Sequence, residues 1–262
     1  PVHPFQNIVV IPAYAESHHI EDTLDSLSNC ITDGFDKILV VVVVNNEEGA
    51  SSQIIQDNQT TLVKLANRND PFHLSIVDAA SNGNVIPKKH AGVGMARKIG
   101  MDLSLLFTQD DSILFCLDAD SLVENTYFTS IQSYFNSKDT VAAVVGFSHS
   151  KSENTKIEKA IREYEEFLIY TAVNLQAAGS PYGYVSMGST IICRATAYAA
   201  VGGMPRRKAT EDFYFLQELA KYKEVIQIPE ILVHPSPRLS ERVYLGTGFR
   251  MSQILMGNDF TS

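Results

Sequence analysis

The run Ile38–Val44 is the feature that most limits how this chain can fold. It places seven consecutive branched aliphatic residues (ILVVVVV) in one segment. A strand with one face in water alternates apolar and polar residues, whereas a strand of a parallel sheet is covered on both faces. The run therefore predicts a central strand of a parallel α/β sheet.

Shorter apolar runs around it alternate with segments that have helical spacing. This alternation is typical of a doubly wound sheet with right-handed crossovers. In the first half we predict strands at Asn7–Pro12, Ile38–Val44, His73–Val77, Ser112–Leu117 and Val141–Phe147, with helices at 18–30, 51–69 and 89–107. In the second half we predict helices at Thr155–Ala178, Ala195–Val201 and Glu211–Tyr222, and extended pieces at Ile226–Pro229 and Ile231–Val233.

Composition limits the kind of protein. Of the 262 residues, 45% are hydrophobic, which suffices for a large core and excludes a chain that is disordered throughout. The net charge of −9 argues against a nucleic-acid partner, because such proteins normally present a basic surface. We find neither a signal-peptide pattern at the start nor the ~18 apolar residues that span a bilayer. Three widely spaced cysteines (Cys30, Cys116 and Cys193) fit a reducing compartment, so we expect a cytoplasmic protein without a transmembrane segment.

Polar residues that follow the predicted strands are the first candidates for function, because open α/β sheets bind ligands at the carboxyl ends of their strands. Residues 12–16 (PAYAE) follow the first strand, 45–49 (NNEEG) the second and 118–121 (DADS) the fourth. Asp118 and Asp120 point the same way if the chain is extended. Two carboxylates together with substrate phosphates suit Mg²⁺ or Mn²⁺, although a solvated turn also explains the pair.

A second acidic pair, Glu211-Asp212, begins a predicted helix. Acids in the first turn are favoured by the helix dipole, and this ordinary explanation competes with a catalytic one in which a carboxylate is the general base. Basic residues stand at 206–208, just before this pair, and at 88–98, before the fourth strand. Such cations could meet a diphosphate or simply lie on the surface.

Six segments follow one another along the chain: IVVIPAYAES (8–17), ILVVVVVNNEEGAS (38–51), GVGMARKIGMD (92–102), LFCLDADS (114–121), GSTIICRATAYAAVGGMP (188–205) and ATEDFYF (209–215). Taken in this order, they resemble family 2 glycosyltransferases of the GT-A fold. The resemblance implies a Rossmann-like, mixed and mainly parallel sheet flanked by helices. It also implies a GT-A domain over 1–235, with a nucleotide-binding half (1–120) and an acceptor half (121–235), followed by a C-terminal extension (236–262).

The resemblance implies a nucleotide pocket at the strand ends. Asn45 stands where family members usually carry an aspartate that contacts the base, and Lys98 replaces an asparagine. An amide can still accept a hydrogen bond from a base N–H but lacks the charge, which weakens the case for a UDP-sugar. The residues implied in nucleotide binding are Pro12, Ala13, Tyr14, Glu16, Asn45, Arg97 and Asp118.

The resemblance also implies a Mn²⁺ or Mg²⁺ cofactor. Asp120 would bind the ion directly, with Asp118 beside it. Some GT-A enzymes use a downstream histidine as a further ligand, which makes His234 a candidate. An ordinary histidine at the end of a strand fits that position too.

The same resemblance implies the catalytic residues. Asp212 would be the base of an inverting transfer, and Glu211 would position it. Gly188 and Ser189 would lie in the loop near the donor sugar and the acceptor.

Tryptophan is missing from the sequence. Membrane-bound processive synthases of the family carry a Gln-x-x-Arg-Trp motif in the C-terminal region, so we expect a non-processive, soluble type that adds one sugar at a time. Arg238, Arg242 and Arg250 in that region are candidates to fold over the diphosphate. The implied partners are a nucleotide-sugar donor and a glycan, glycolipid or small-molecule acceptor in polysaccharide biosynthesis, with peripheral membrane contact allowed.

Three other interpretations stay open. A sugar-nucleotide-binding module without transfer is compatible with the departures at Asn45 and Lys98. The presence of all four candidate acids argues against it: Asp118, Asp120, Glu211 and Asp212. A nucleotidyltransferase on a related fold would need a Gly-rich, basic loop after the first strand, which residues 12–17 do not provide. A haloacid-dehalogenase-type phosphatase would place its Asp-x-Asp after the first strand rather than the fourth.

Overall fold

The computed structural model describes residues 4–30, 37–137, 139–207 and 210–238. Within these ranges no helix has the length and hydropathy to cross a membrane. The strands are β1 (Asn7–Ala13), β2 (Ile38–Asn45), β3 (His73–Ala79), β4 (Ile113–Cys116), β5 (Ser121–Val123), β6 (Ala142–Phe147), β7 (Ile191–Arg194) and β8 (Val225–Pro235). The helices are α1 (Ile20–Asn29), α2 (Ser52–Ala66), α3 (Val93–Ser104), α4 (Tyr127–Ser137), α5 (Thr155–Ala177), α6 (Ala195–Ala200) and α7 (Glu211–Tyr222).

All eight strands form one sheet in the order β3-β2-β1-β4-β7-β6-β8-β5. Strands β3, β2, β1 and β4 are parallel, as the alternation of strands and helices predicts. Strand β7 runs antiparallel to β4 and β6, and β5 runs antiparallel to β8. The prediction of an α/β fold with a mixed, mainly parallel sheet is confirmed.

Strand β2 lies inside the sheet with both faces covered. Every residue from Ile38 to Asn45 is buried. Val40, Val42 and Val44 pack in a core layer with α1, α2 and α4, and Leu39, Val41 and Val43 pack in the opposite layer with α3, α6 and α7. Burial of both side-chain rows explains why the run has no polar residue before Asn45.

The second half of the chain departs from the predicted elements. Strands β5 and β7 and helix α4 are absent from the prediction, because both strands are short and take their stability from partners far along the chain. The two extended pieces predicted around residue 229 form one strand, β8. Val145 pairs with Ile228 and Gly146 with Ile231, so β8 bulges at Pro229 and Glu230. A bulge tolerates a proline, which has no N–H for the ladder.

Candidate active site

Several predicted site segments meet at one edge of the sheet. Strands β1, β2 and β4 are parallel, so their carboxyl ends share that edge. The loops that follow them carry Glu16, Asn46 and Asp118. Helix α7 reaches the same edge, because Arg97 forms ion pairs with both Asp118 and Glu211.

The end of β2 is held by a network of amides. The Asn45 Nδ2 donates to the Ala13 carbonyl at 3.1 Å and to the Val43 carbonyl at 3.3 Å. Asn58 of α2 donates to the Asn45 carbonyl at 3.0 Å and accepts from the Ala15 N–H at 2.9 Å. An aspartate at 45 could not donate, so the asparagine suits a structural role at the end of β2.

Asn58 is absent from the candidates found in the sequence, although a signal was available. It shares a helix face with Thr61 and Leu65, which are buried, at intervals of three and four residues. An amide at such an inward position has to be hydrogen-bonded. Beside it, Asp57 accepts from the N–H and the hydroxyl of Ser17 at 2.9 and 2.7 Å and fixes the loop after β1.

Arg97 is buried, and its guanidinium joins two acids that are distant in the sequence. One terminal nitrogen donates to Asp118 and the other to Glu211. The Arg97 and Glu211 side chains are each only 4% exposed, so their charge-assisted hydrogen bond lies away from water and is strong, whereas the Asp118 side chain is 34% exposed. Gly188 lies against this group, because a Cβ added there would overlap both terminal nitrogens and lie 2.5 Å from the guanidinium carbon. Arg97 thus links Asp118, which is predicted to bind the nucleotide, to Glu211 of the predicted catalytic pair.

The catalytic candidates begin α7 after an unusual backbone turn. Thr210 has a φ of 62°, in the left-handed region that is uncommon for non-glycine residues. Burial raises the pKa of Glu211 to about 7, with Arg97 opposing and Asp212 adding to the rise. Burial also raises the pKa of Asp212, again opposed by Arg97. A carboxylate with a raised pKa accepts a proton readily near neutral pH.

Asp120 is paired with an arginine from the end of the described chain. Its Oδ2 lies 2.7 Å from the Arg238 Nε, and another nitrogen of the same guanidinium donates to Glu16. Burial raises the pKa of Asp120 to about 6, with Arg238 opposing. Asp120 and Glu16 therefore share one cation, the Arg238 guanidinium, that belongs to the chain itself.

Asp118 and Asp120 offer oxygen ligands only, and hard oxygen ligands suit Mg²⁺ or Mn²⁺. Two carboxylates fit an ion whose other positions are filled by a diphosphate and water. Within the described ranges no group of three or more His, Cys, Asp or Glu side chains is arranged to hold a metal. The metal-binding roles of these two acids stay predictions.

His234 lies on β8 opposite Leu122 of β5. Its Nδ1 is 2.9 Å from the Ser148 carbonyl, and its Nε2 is 2.8 Å from a Glu124 oxygen. Both ring nitrogens are thus engaged, and a metal ion would have to replace one of these contacts. Its role as a ligand stays a prediction.

The remaining predicted site residues lie on the elements expected of them. Pro12 and Ala13 are buried in β1, and Tyr14 after the strand is half-buried. Gly188 and Ser189 are buried in a short 3-10 turn before β7. Their contacts with donor or acceptor stay predictions. Arg242, Arg250 and most of the extension predicted at 236–262 fall outside the described residues.

Comparison with known proteins points to one family. A sequence model described as "Glycosyl transferase family 2" matches residues 8–202. Among curated proteins, no sequence matches significantly.

Solved structures share the fold at low sequence identity. The S. aureus TarS 1-349 structure in complex with UDP-GlcNAc superposes with a TM-score of 0.62 at 13% identity, over 96% of this chain and 65% of that one. The mannosyltransferase PcManGT from Pyrobaculum calidifontis, in complex with GDP-Man and Mn²⁺, superposes with a TM-score of 0.55 at 14% identity, over 93% of this chain and 60% of that one. The chain thus spans about three fifths of these proteins. At such identities the likeness establishes the GT-A fold.

Proposed function

The chain belongs to glycosyltransferase family 2, and we propose that it transfers a sugar from a nucleoside-diphosphate sugar to an acceptor hydroxyl, with inversion. The observation that carries this proposal is the buried Arg97, which holds Glu211 beside Asp118. This link lies next to the strand ends where α/β sheets bind nucleotides, which supports a catalytic role for Glu211 and Asp212. The family match and the sugar nucleotides bound in the structural neighbours support it.

Asp212 is the base in the proposed reaction. The acceptor oxygen forms a bond to the anomeric carbon as the bond from that carbon to the diphosphate oxygen breaks, and the hydroxyl proton moves to a carboxylate oxygen of Asp212. Its raised pKa favours this capture. Glu211 stays paired with Arg97 and fixes the start of α7. The nucleoside diphosphate departs with the electron pair.

Asp118 and Asp120 would hold a Mn²⁺ or Mg²⁺ ion, which when bound neutralises charge on the diphosphate. The Asp118 side chain is 34% exposed and therefore within reach of a ligand. Pro12, Ala13, Tyr14, Glu16 and Asn45 would surround the base and ribose. UDP-sugars and GDP-sugars are both candidate donors, since one structural neighbour is in complex with UDP-GlcNAc and the other with GDP-Man.

We further propose a catalytic domain over 1–235 that adds one sugar at a time to a glycan, glycolipid or small molecule in the cytoplasm. The support is the family match together with a sequence that lacks tryptophan. Product length on an oligosaccharide acceptor tests single addition: a ladder of longer products would contradict it.

The test is release of nucleoside diphosphate from a panel of UDP- and GDP-sugars with Mn²⁺ and simple sugar acceptors. Asp212→Asn should lower turnover by about 10²–10⁴-fold, the range for loss of a general base, while UDP or GDP affinity by calorimetry stays within about twofold. Glu218→Gln is the matched control, an exposed acid on the same helix, paired with Lys221. NMR of the product anomer tests inversion. Turnover by Asp212→Asn at the wild-type rate would contradict the assignment of the base.

A further inference from the structure

The candidate metal ligand Asp120 already has a positive partner. Arg238 lies with its Nε 2.7 Å from the Asp120 Oδ2 and donates from a second nitrogen to Glu16. These two acids follow different strands, β4 and β1. One guanidinium therefore bridges Glu16, which is predicted to line the nucleotide pocket, and Asp120, which is predicted to bind the metal ion.

The backbone holds this arginine in place. Ser236 donates its N–H to the Asp120 carbonyl at 3.1 Å, and Pro235 pairs with Ser121 where β8 meets β5. The attachment lies two residues before Arg238, so its side chain stays close to Asp120. The bridge is a consequence of how β8 ends rather than of a long, loose loop.

A divalent ion and this guanidinium cannot both contact the Asp120 carboxylate, because their positive charges repel each other. An ion bound to the carboxylate would lie roughly 2.1 Å from its oxygen, within a few ångströms of the arginine nitrogens. The Asp120 and Glu16 side chains are only 17% and 7% exposed, so little water screens the two positive charges from each other. One of them has to leave.

We propose that Arg238 is a tethered cation that occupies the position of the divalent ion on Asp120 until donor and metal bind. Binding of the ion then requires the segment 236–238 to release Asp120, and the free protein binds metal weakly without nucleotide. This inference rests on the metal site of the proposed function. It concerns the ligand-free protein and needs no transfer reaction.

The experiment titrates Mn²⁺ into the full chain without nucleotide and follows free Mn²⁺ by electron paramagnetic resonance. Arg238→Met keeps much of the side-chain length and removes the charge, so the Kd for Mn²⁺ should fall at least tenfold. Arg238→Lys should resemble the wild type. Arg68→Met is the matched control, because Arg68 also bridges two carboxylates, Asp25 and Asp70, and should leave the Kd unchanged.

Adding Asp120→Asn to Arg238→Met should abolish the gain. Circular dichroism melts report whether each variant folds. If Arg238→Met does not fold, the Mn²⁺ affinity of Arg238→Gln tests the proposal instead. The proposal is overturned if the folded neutral variants bind Mn²⁺ within twofold of the wild type, or if neither they nor the wild type bind it at all. A chain without any sugar-transfer activity could still show the gain, so this proposal and the proposed function fail separately.

Discussion

Replacing Gly188 with alanine should break the link that Arg97 forms between Asp118 and Glu211. The added Cβ would lie 2.5 Å from the guanidinium carbon of Arg97, where ordinary contact begins at 3.4 Å. Gly188 does not have a positive φ, so alanine adds no backbone strain and the whole effect is steric. Arg97 must therefore move by about 1 Å, which is enough to lose a hydrogen bond to Asp118 or Glu211.

The expected cost follows from the burial of the Arg97–Glu211 pair, whose side chains are each only 4% exposed. Separating a buried ion pair destabilises by about 3–5 kcal/mol. At about 2–4 °C per kcal/mol for a chain of this size, the melting temperature should fall by roughly 6–20 °C. A displacement of ~1 Å near reacting groups can also lower turnover by about 10²-fold, so nucleoside diphosphate release should fall even at temperatures where the variant is folded.

Two measurements check this prediction, urea unfolding and initial rates well below the melting temperature. Gly100→Ala serves as the control, because its Cβ would press on Val10 and Val43 in the apolar core and not on Arg97. It should cost about 1–3 kcal/mol through overpacking and leave turnover per folded molecule nearly intact. Stability within about 0.5 kcal/mol of the wild type, together with normal turnover, for Gly188→Ala would refute the reasoning.

Two more predictions concern charge and hydrogen bonding at the same edge. Burial raises the pKa of Glu211 from 4.5 to about 7, so its contribution to stability is fully present below pH 4.5 and is lost as the pH rises through 7. Between pH 5 and 8 the wild type should therefore lose on the order of 3 kcal/mol more unfolding free energy than Glu211→Gln, and parallel pH curves from urea unfolding would contradict this. Asn45→Asp should cost about 1–3 kcal/mol in the same assay, because a carboxylate cannot donate to the Ala13 carbonyl 3.1 Å away. A variant as stable as the wild type would show that this bond is dispensable.

The parallel half of the fold can be predicted from the sequence because a strand that is buried on both faces consists of consecutive apolar residues. The aliphatic run of β2 and the shorter runs of β1 and β4 indicate strands on their own, without information about the strands beside them. Strands β5 and β7 were beyond such reasoning, since their few residues become strands only through pairing with β8, β4 and β6. Strand β8 was split in the prediction because a bulge that accommodates Pro229 depends on its partner β6.

The candidate site, too, can be predicted only in part from the sequence. Asp118 and Asp120 could be singled out as candidates because α/β sheets bind ligands at the ends of parallel strands, and their functional roles stay predictions. The partners of these acids could not, because Arg97 and Glu211 are 114 positions apart and Glu16 and Arg238 are 222 apart. Residue type predicts that these arginines meet a phosphate, and this stays a prediction; the carboxylates with which the fold pairs them could not be identified from the sequence.

The antiparallel strand β7 has a consequence for synthesis on the ribosome. It is the partner of β4 on the side away from β1, and about 75 residues separate Cys116 from Ile191. At about 5–20 residues per second, the apolar edge of β4 waits roughly 4–15 s for this partner to emerge. An unpaired edge in the middle of a sheet invites pairing with other chains, so the yield of folded protein should depend on translation speed between β4 and β7.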